Sequence, residues 1–67
     1  MRKTATPKEV VKFLEHNGFA CARQRGSHAL YRHADGRATV VPMHNRDLPT
    51  GTLHKICKQA QLDIDNL

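Results

Sequence analysis

The sequence predicts an α+β fold of order α-β-β-β-α, a three-stranded antiparallel sheet with one helix before it, one after it, and both on one face. Two observations carry this. Apolar residues recur at helical spacing near both ends of the chain, while the middle alternates with a period of two. Within that middle region lies Asp35-Gly36, a strong hairpin signal.

The first helix opens at "TPKE", where Thr6 is the N-cap, Pro7 takes the first helical position and Glu9 completes a capping box. Val10, Phe13, Leu14 and Asn17 fall at i, i+3, i+4 and i+7; the first three are apolar and face the core. Gly18 supplies a left-handed C-terminal cap, and His16 in the last turn suits the helix dipole, a structural role. Beyond it, Phe19, Cys21 and Arg23 alternate with Ala20, Ala22 and Gln24 as a short strand, which "RGS" turns. "HALYRH" is a second strand, with Leu30 on one face and Ala29 and Tyr31 on the other. "ADG" ends it, and "RATVVP" is a third strand closed by Pro42, which has no N–H for a ladder. "MHNRDLP" reads as a loop, after which Leu53, Ile56, Cys57 and Ala60 define a second helix starting between Pro49 and Thr52. The tail "LDIDNL" folds Leu62 and Ile64 back in one more helical turn. The opposite sheet face and its turns stay open.

A chain of 67 residues makes one small domain, residues 1–67, with a thin core. Folding at this size buries only about 60% of the unfolded surface, which argues against a large substrate cavity and for a site on an open surface. Lys and Arg number 11 against 6 Asp and Glu, giving a net charge of +5 and a pI near 9.8. An anionic partner is favoured over an apolar ligand. Between Arg23 and Arg46 lie Arg25, Arg32, Arg37, His28, His33 and His44, opposed only by Asp35. Such a run is either a phosphate-binding face, which the guanidinium fork suits, or a solvated surface. Cys21 and Cys57 have no CxxC spacing and read as buried free thiols. No charged leader precedes an apolar run and no stretch could span a bilayer, so a reducing cytoplasm is expected, with no membrane partner. His28 follows Gly26, which frees the turn backbone, and Ser27, whose hydroxyl can orient its neighbour. A histidine there is either a proton carrier or an exposed strand residue, and spacing alone leaves both open.

Four stretches span nearly the whole chain: "EVVKFLEHNGF" at 9–19, "RQRGSHALYRH" at 23–33, "VVPMHNRDLPTGTL" at 40–53 and "ICKQAQL" at 56–62. In them the chain resembles the HicA, or YcfA-like, family of small toxins from bacterial toxin–antitoxin pairs. Gly18, Gly26, Ser27, His28, Pro42, His44, Leu48, Gly51, Thr52 and Leu53 stand where the family pattern puts them. The combination of "GSH" with the later "VVP.H...L..GTL" makes the resemblance specific. It implies a double-stranded-RNA-binding-domain-like fold, ribosome-independent cleavage of mRNA, neutralisation by a HicB-type antitoxin, and His28 as the catalytic histidine. The chain departs at Gln61, where the family usually has glycine.

No clustered carboxylates are present to hold magnesium, and His28, His33, His44, Cys21 and Cys57 lack a zinc spacing, so neither metal nor cofactor is expected. The RNA then supplies its own nucleophile. Its 2′-hydroxyl attacks the adjacent phosphorus with His28 as general base or acid, leaving a 2′,3′-cyclic phosphate and a 5′-hydroxyl. DNA should survive, and no DNA binding by the chain alone is expected. Arg23 and Arg25 flank the turn and can stabilise charge on the phosphoryl oxygens; Ser27, Arg32 and His44 complete the expected RNA-binding set. The opposite proton transfer falls to His44, ahead of His33, or those histidines bind phosphate. Tyr31 either stacks an unpaired base or packs. Two other classes stay open, a non-catalytic RNA-binding module of the same fold and an interaction subunit whose basic face docks an acidic partner.

Overall fold

The computed structural model describes residues 4–67. Helix α1 (Pro7–His16) leads into β1 (Phe19–Arg25), β2 (His28–His33) and β3 (Ala38–Pro42), then helix α2 (Thr50–Ala60) and a 3-10 turn at Ile64–Asn66. The expected α-β-β-β-α order is observed.

The capping box at the start of α1 forms in both directions. Glu9 N–H donates to Thr6 Oγ1 at 3.2 Å, and Thr6 N–H donates to Glu9 Oε1 at 3.0 Å. Two of the helix's otherwise orphaned donors are thereby satisfied. The buried stripe is Pro7, Val10 and Leu14, rotated from the expected one. Phe13 is only half-buried, at the core margin beside Leu67, and Asn17 caps the helix end with its Nδ2 on the Phe13 carbonyl, 2.8 Å away. Gly18 takes φ +89°, as its cap role requires, and also leaves room for a neighbour: a Cβ there would lie 2.7 Å from His33 Nε2.

The sheet is antiparallel in the order β1-β2-β3. Ala29 and Tyr31 of β2 and Thr39 and Val41 of β3 point to the helices, where they meet Val10 and Leu14 of α1 and Leu53, Ile56, Cys57 and Ala60 of α2. Thr39 is the one buried polar residue among those described, and its Oγ1 donates to Gln59 Oε1 at 2.7 Å, which satisfies it. Each fully buried leucine in this core contributes about 2 kcal/mol. The segment before α1 is pinned to the loop before α2 by an isolated bridge, in which Leu48 N–H donates to the Ala5 carbonyl at 2.7 Å.

One expectation is corrected. Cys57 is buried, and desolvation, then the charge of Asp63, pushes its thiol up; Cys21 is exposed, because β1 is an edge strand of which only Phe19 is buried. The tail does add one more helical turn: Gln61 ends α2 in a left-handed conformation, φ +57°, and the chain turns back through the 3-10 segment to bury Ile64, with Leu62 and Leu67 half-buried against the core.

These two backbone positions predict opposite effects on stability. Gln61→Gly removes the side-chain penalty of the left-handed region and should stabilise by about 0.5–1 kcal/mol, a rise of a few degrees in Tm. Gly18→Ala places a methyl group against the His33 ring in an unfavourable backbone region and should cost about 2 kcal/mol. Thermal melts of the two variants check both signs.

Candidate nucleic-acid interface

On β2, His28, Leu30 and Arg32 point away from the helices. Antiparallel pairing puts partners directly opposite on the same face. The open face therefore carries three cross-strand rows: Arg25, His28 and Pro42; Arg23, Leu30 and Val40; Ala20, Arg32 and Ala38. Simple alternation along β1 would group Arg23 with Phe19 and Cys21, as the sequence suggested. Instead the register shifts between Cys21 and Arg23, and this one-residue bulge at Ala22 exchanges the faces of everything after it. Phe19 and Cys21 face the helix side with His33 and Tyr31, while Arg23 and Arg25 join the open face.

The turn that presents His28 is held from two sides. Gly26 has φ +55° at the first central position and Ser27 has no positive φ, the pattern of a type II′ hairpin. Gln24 Nε2 donates to the Gly26 carbonyl at 3.2 Å, and Met43 N–H donates to the Ser27 carbonyl at 2.5 Å, tying the turn to the end of β3. The loop carrying His44 therefore starts beside Ser27.

His28 pairs with Pro42 of β3, the edge strand against which α2 packs, and although it points to the open face it shares a groove with that helix. A groove of about 330 Å³ runs between them, lined by His28, Val40 and Pro42 from the sheet and by Thr52, Lys55, Ile56 and Gln59 from α2. Among the described residues lining it there is no carboxylate. Thr52, Lys55 and Gln59 share one helix face at i, i+3 and i+7. Sequence reasoning missed Lys55 and Gln59; their only signal was this polar stripe beside the apolar one of α2.

The structure separates the remaining candidates. Arg32 is exposed at the far row of the open face, about 13 Å along β2 from His28. His44 does not line the groove; its Nδ1 accepts from Arg46 N–H at 3.1 Å within its own loop. His33 stands at the opposite end of β2, about 16 Å from His28. It faces the helix side, its ring edge-to-face with Phe19 at 5.3 Å and its Nδ1 accepting from Asp35 N–H at 3.0 Å. His33 therefore cannot act on a phosphate held at His28. Arg37 is likewise structural: it lies over the Phe19 ring, and donates from Nε to Asp35 Oδ2 at 2.8 Å and from Nη1 to the Ala60 carbonyl. Tyr31 is 6% exposed among the core residues, and burial, then the Cys21 and Glu15 charges, pushes its phenol up; it cannot stack a base. With Tyr31 and Phe19 buried and Phe13 on α1, no Phe, Tyr or Trp side chain of the described residues lies on the open face. Among the described residues no three His, Cys, Asp or Glu side chains gather to hold a metal ion, and no helix is long and apolar enough to cross a membrane.

The family model describing the HicA toxin of bacterial toxin–antitoxin systems matches residues 7–62. The chain belongs to the HicA toxin family. A comparison with curated proteins returns no match. The HicA match runs from the first residue of α1 to just beyond α2, so it takes in the three strands, the His28 turn and the groove.

At the opposite end of the sheet, Asp35 is held below its ordinary carboxyl value of 3.8, chiefly by the hydrogen bond from Arg37 N–H, with the Arg37 side chain and His33 adding to it. A depressed carboxyl contributes stability that is full above its unfolded pKa and is lost as pH falls through the folded one. Asp35→Asn should therefore lower Tm near pH 7, with the gap from wild type closing below about pH 4. Melts across pH 2–7 measure this; a gap that stayed constant to pH 2 would contradict the role given to Asp35.

Proposed function

We propose that this HicA-family chain, residues 1–67 acting as one toxin domain, is a metal-independent and ribosome-independent endoribonuclease. It cleaves mRNA in the cytoplasm with His28 as the general base, and a HicB-type antitoxin neutralises it. The observation that carries the proposal is the position of His28, at the end of an open arginine-bearing sheet face and within a groove that a phosphodiester can enter. Arg25 lies beside it in the same row and Arg23 in the next, so a phosphate drawn to their guanidiniums comes within reach of the imidazole.

The RNA's own 2′-oxygen bonds to phosphorus while His28 removes its proton, and the bond from phosphorus to the 5′-oxygen breaks. Charge that builds on the phosphoryl oxygens is met by Arg23 and Arg25. Ser27, Arg32 and His44 contact the flanking backbone. With no Phe, Tyr or Trp on the face to stack bases, recognition rests mainly on phosphate and 2′-hydroxyl contacts, which gives the 2′-hydroxyl two roles, in binding and in chemistry. An acidic antitoxin surface laid over the same face would compete with RNA for the same cations.

The test is cleavage of end-labelled RNA in EDTA. Wild type should yield 2′,3′-cyclic phosphate and 5′-hydroxyl ends and spare DNA, while His28→Ala should be slower by about 10²–10⁴-fold with its fold intact. Equal RNA binding by both proteins with no cutting by either would make the chain a non-catalytic RNA-binding module. Salt dependence of binding separates the arginines. Single Arg23→Ala, Arg25→Ala and Arg32→Ala changes should each reduce the log–log salt slope for single-stranded RNA by about 0.7, whereas Arg37→Ala should lower Tm and leave the slope unchanged.

A further inference from the structure

A single imidazole accounts for one of the two proton transfers that RNA cleavage needs. We propose that Lys55 supplies the other, as the general acid that protonates the leaving 5′-oxygen; the assignment rests on the ribonuclease reading. The groove brings Lys55 of α2 and His28 of β2 to one space of about 330 Å³, although 27 residues of sequence numbering separate them. His33, the other histidine of β2, is fixed at the far strand end by Gly18, Phe19 and Asp35. His44 is outside the groove lining. The remaining polar side chains of the lining, Thr52 and Gln59, have no acid that titrates in water's accessible range, and Gln59 is engaged by Thr39.

Lys55 is exposed on its helix and carries a flexible four-carbon stem with three donors, so its ammonium can follow the oxygen as the bond to phosphorus lengthens. The 2′-oxygen forms a bond to phosphorus as its proton passes to His28. The bond from phosphorus to the 5′-oxygen breaks with its electron pair on that oxygen, which takes a proton from the Lys55 ammonium. The neutral amine regains a proton from water and His28 returns its own to water. Pro42 and Val40, which line the sheet side of the groove beside His28, carry no hydrogen-bonding side-chain group, so besides His28 only Lys55 of the lining has a side-chain proton to give as an acid.

The experiment uses an RNA oligonucleotide in two forms at a site mapped with wild type: the ordinary linkage, and one in which sulfur replaces the bridging 5′-oxygen. A thiolate leaves without needing a proton, since a free thiol has a pKa of about 8.5. Lys55→Ala should cut the ordinary RNA at least about 10²-fold more slowly than wild type and the sulfur-bridged RNA within a few-fold of it. Lys55→Arg should stay slow on the ordinary RNA, because a guanidinium keeps its charge but does not release its proton. His28→Ala should be slow on both, and Lys58→Ala, which removes the same charge from α2 outside the groove, should match wild type. The assignment is overturned if Lys55→Ala cuts ordinary RNA at the wild-type rate, if it is equally slow on both substrates, or if Lys55→Arg restores the rate. Those outcomes leave the ribonuclease intact, since wild type still cuts. Failure of wild type to cut either substrate removes the ribonuclease reading and the role of Lys55 with it.

Discussion

A side chain on the central strand β2 can lie on only one of two faces, and a one-residue slip in its pairing would exchange them. Ala29, Tyr31 and His33 face the helices, and His28, Leu30 and Arg32 face outward, so core and candidate site are written on alternate residues of one six-residue strand. A slip would bury His28 and Arg32 and expose Tyr31, which a core this thin could not absorb. Register is therefore fixed at both strand ends. Gly26 turns the chain before His28, the Met43 amide holds the Ser27 carbonyl, and at the other end His33 N–H donates to the Arg37 carbonyl at 2.8 Å across a loop closed by Gly36.

The edge strand β1 faces a conflict that alternation alone cannot resolve. Its first half must give Phe19 to the core, and its second half must keep two arginines out of the helix layer, yet Phe19, Cys21, Arg23 and Arg25 are all odd-numbered. The bulge at Ala22 resolves this by letting two residues oppose one, at the cost of a broken ladder step on a strand with few neighbours to disturb. The same device frees the first half of the strand to pack against α1 while the second half builds the open face.

What could be read in the sequence was what depends on near neighbours. The Thr6–Glu9 box, the Gly18 cap, the two hairpins and the apolar stripe of α2 each lie within a few residues, and each formed. Ala22 has no bulge signature of its own, because a bulge is set by what the two halves of a strand must face. Arg37 and His33 looked like members of the basic patch; their structural roles depend on the Ala60 carbonyl and on the space over Gly18, both remote in sequence. The resemblance through "GSH" pointed to His28, and the structure adds its surroundings: a groove whose second wall is a helix face more than twenty residues away. Gln61 shows the reverse case, where a departure from the family pattern marked a backbone position that the structure finds in the left-handed region.

The charges at the two ends of β2 also differ in a way that composition conceals. At the His33 end, Asp35 is paired with Arg37, its Oδ2 accepting from Arg37 Nε at 2.8 Å, so the acid of that span is spent on a local cation. At the His28 end, Arg25 stands in the His28 row and Arg23 in the next, and Lys55 lines a groove with no carboxylate among its described lining residues. A net charge of +5 spread evenly would give a polyanion no preferred orientation. Neutralising one end of the strand and leaving the other positive makes the field asymmetric along β2, with its positive end at the turn. The cations that fasten the fold and those left to meet a ligand are thus divided along a single strand, and the side chain that can move a proton stands at the end where the charge is unopposed.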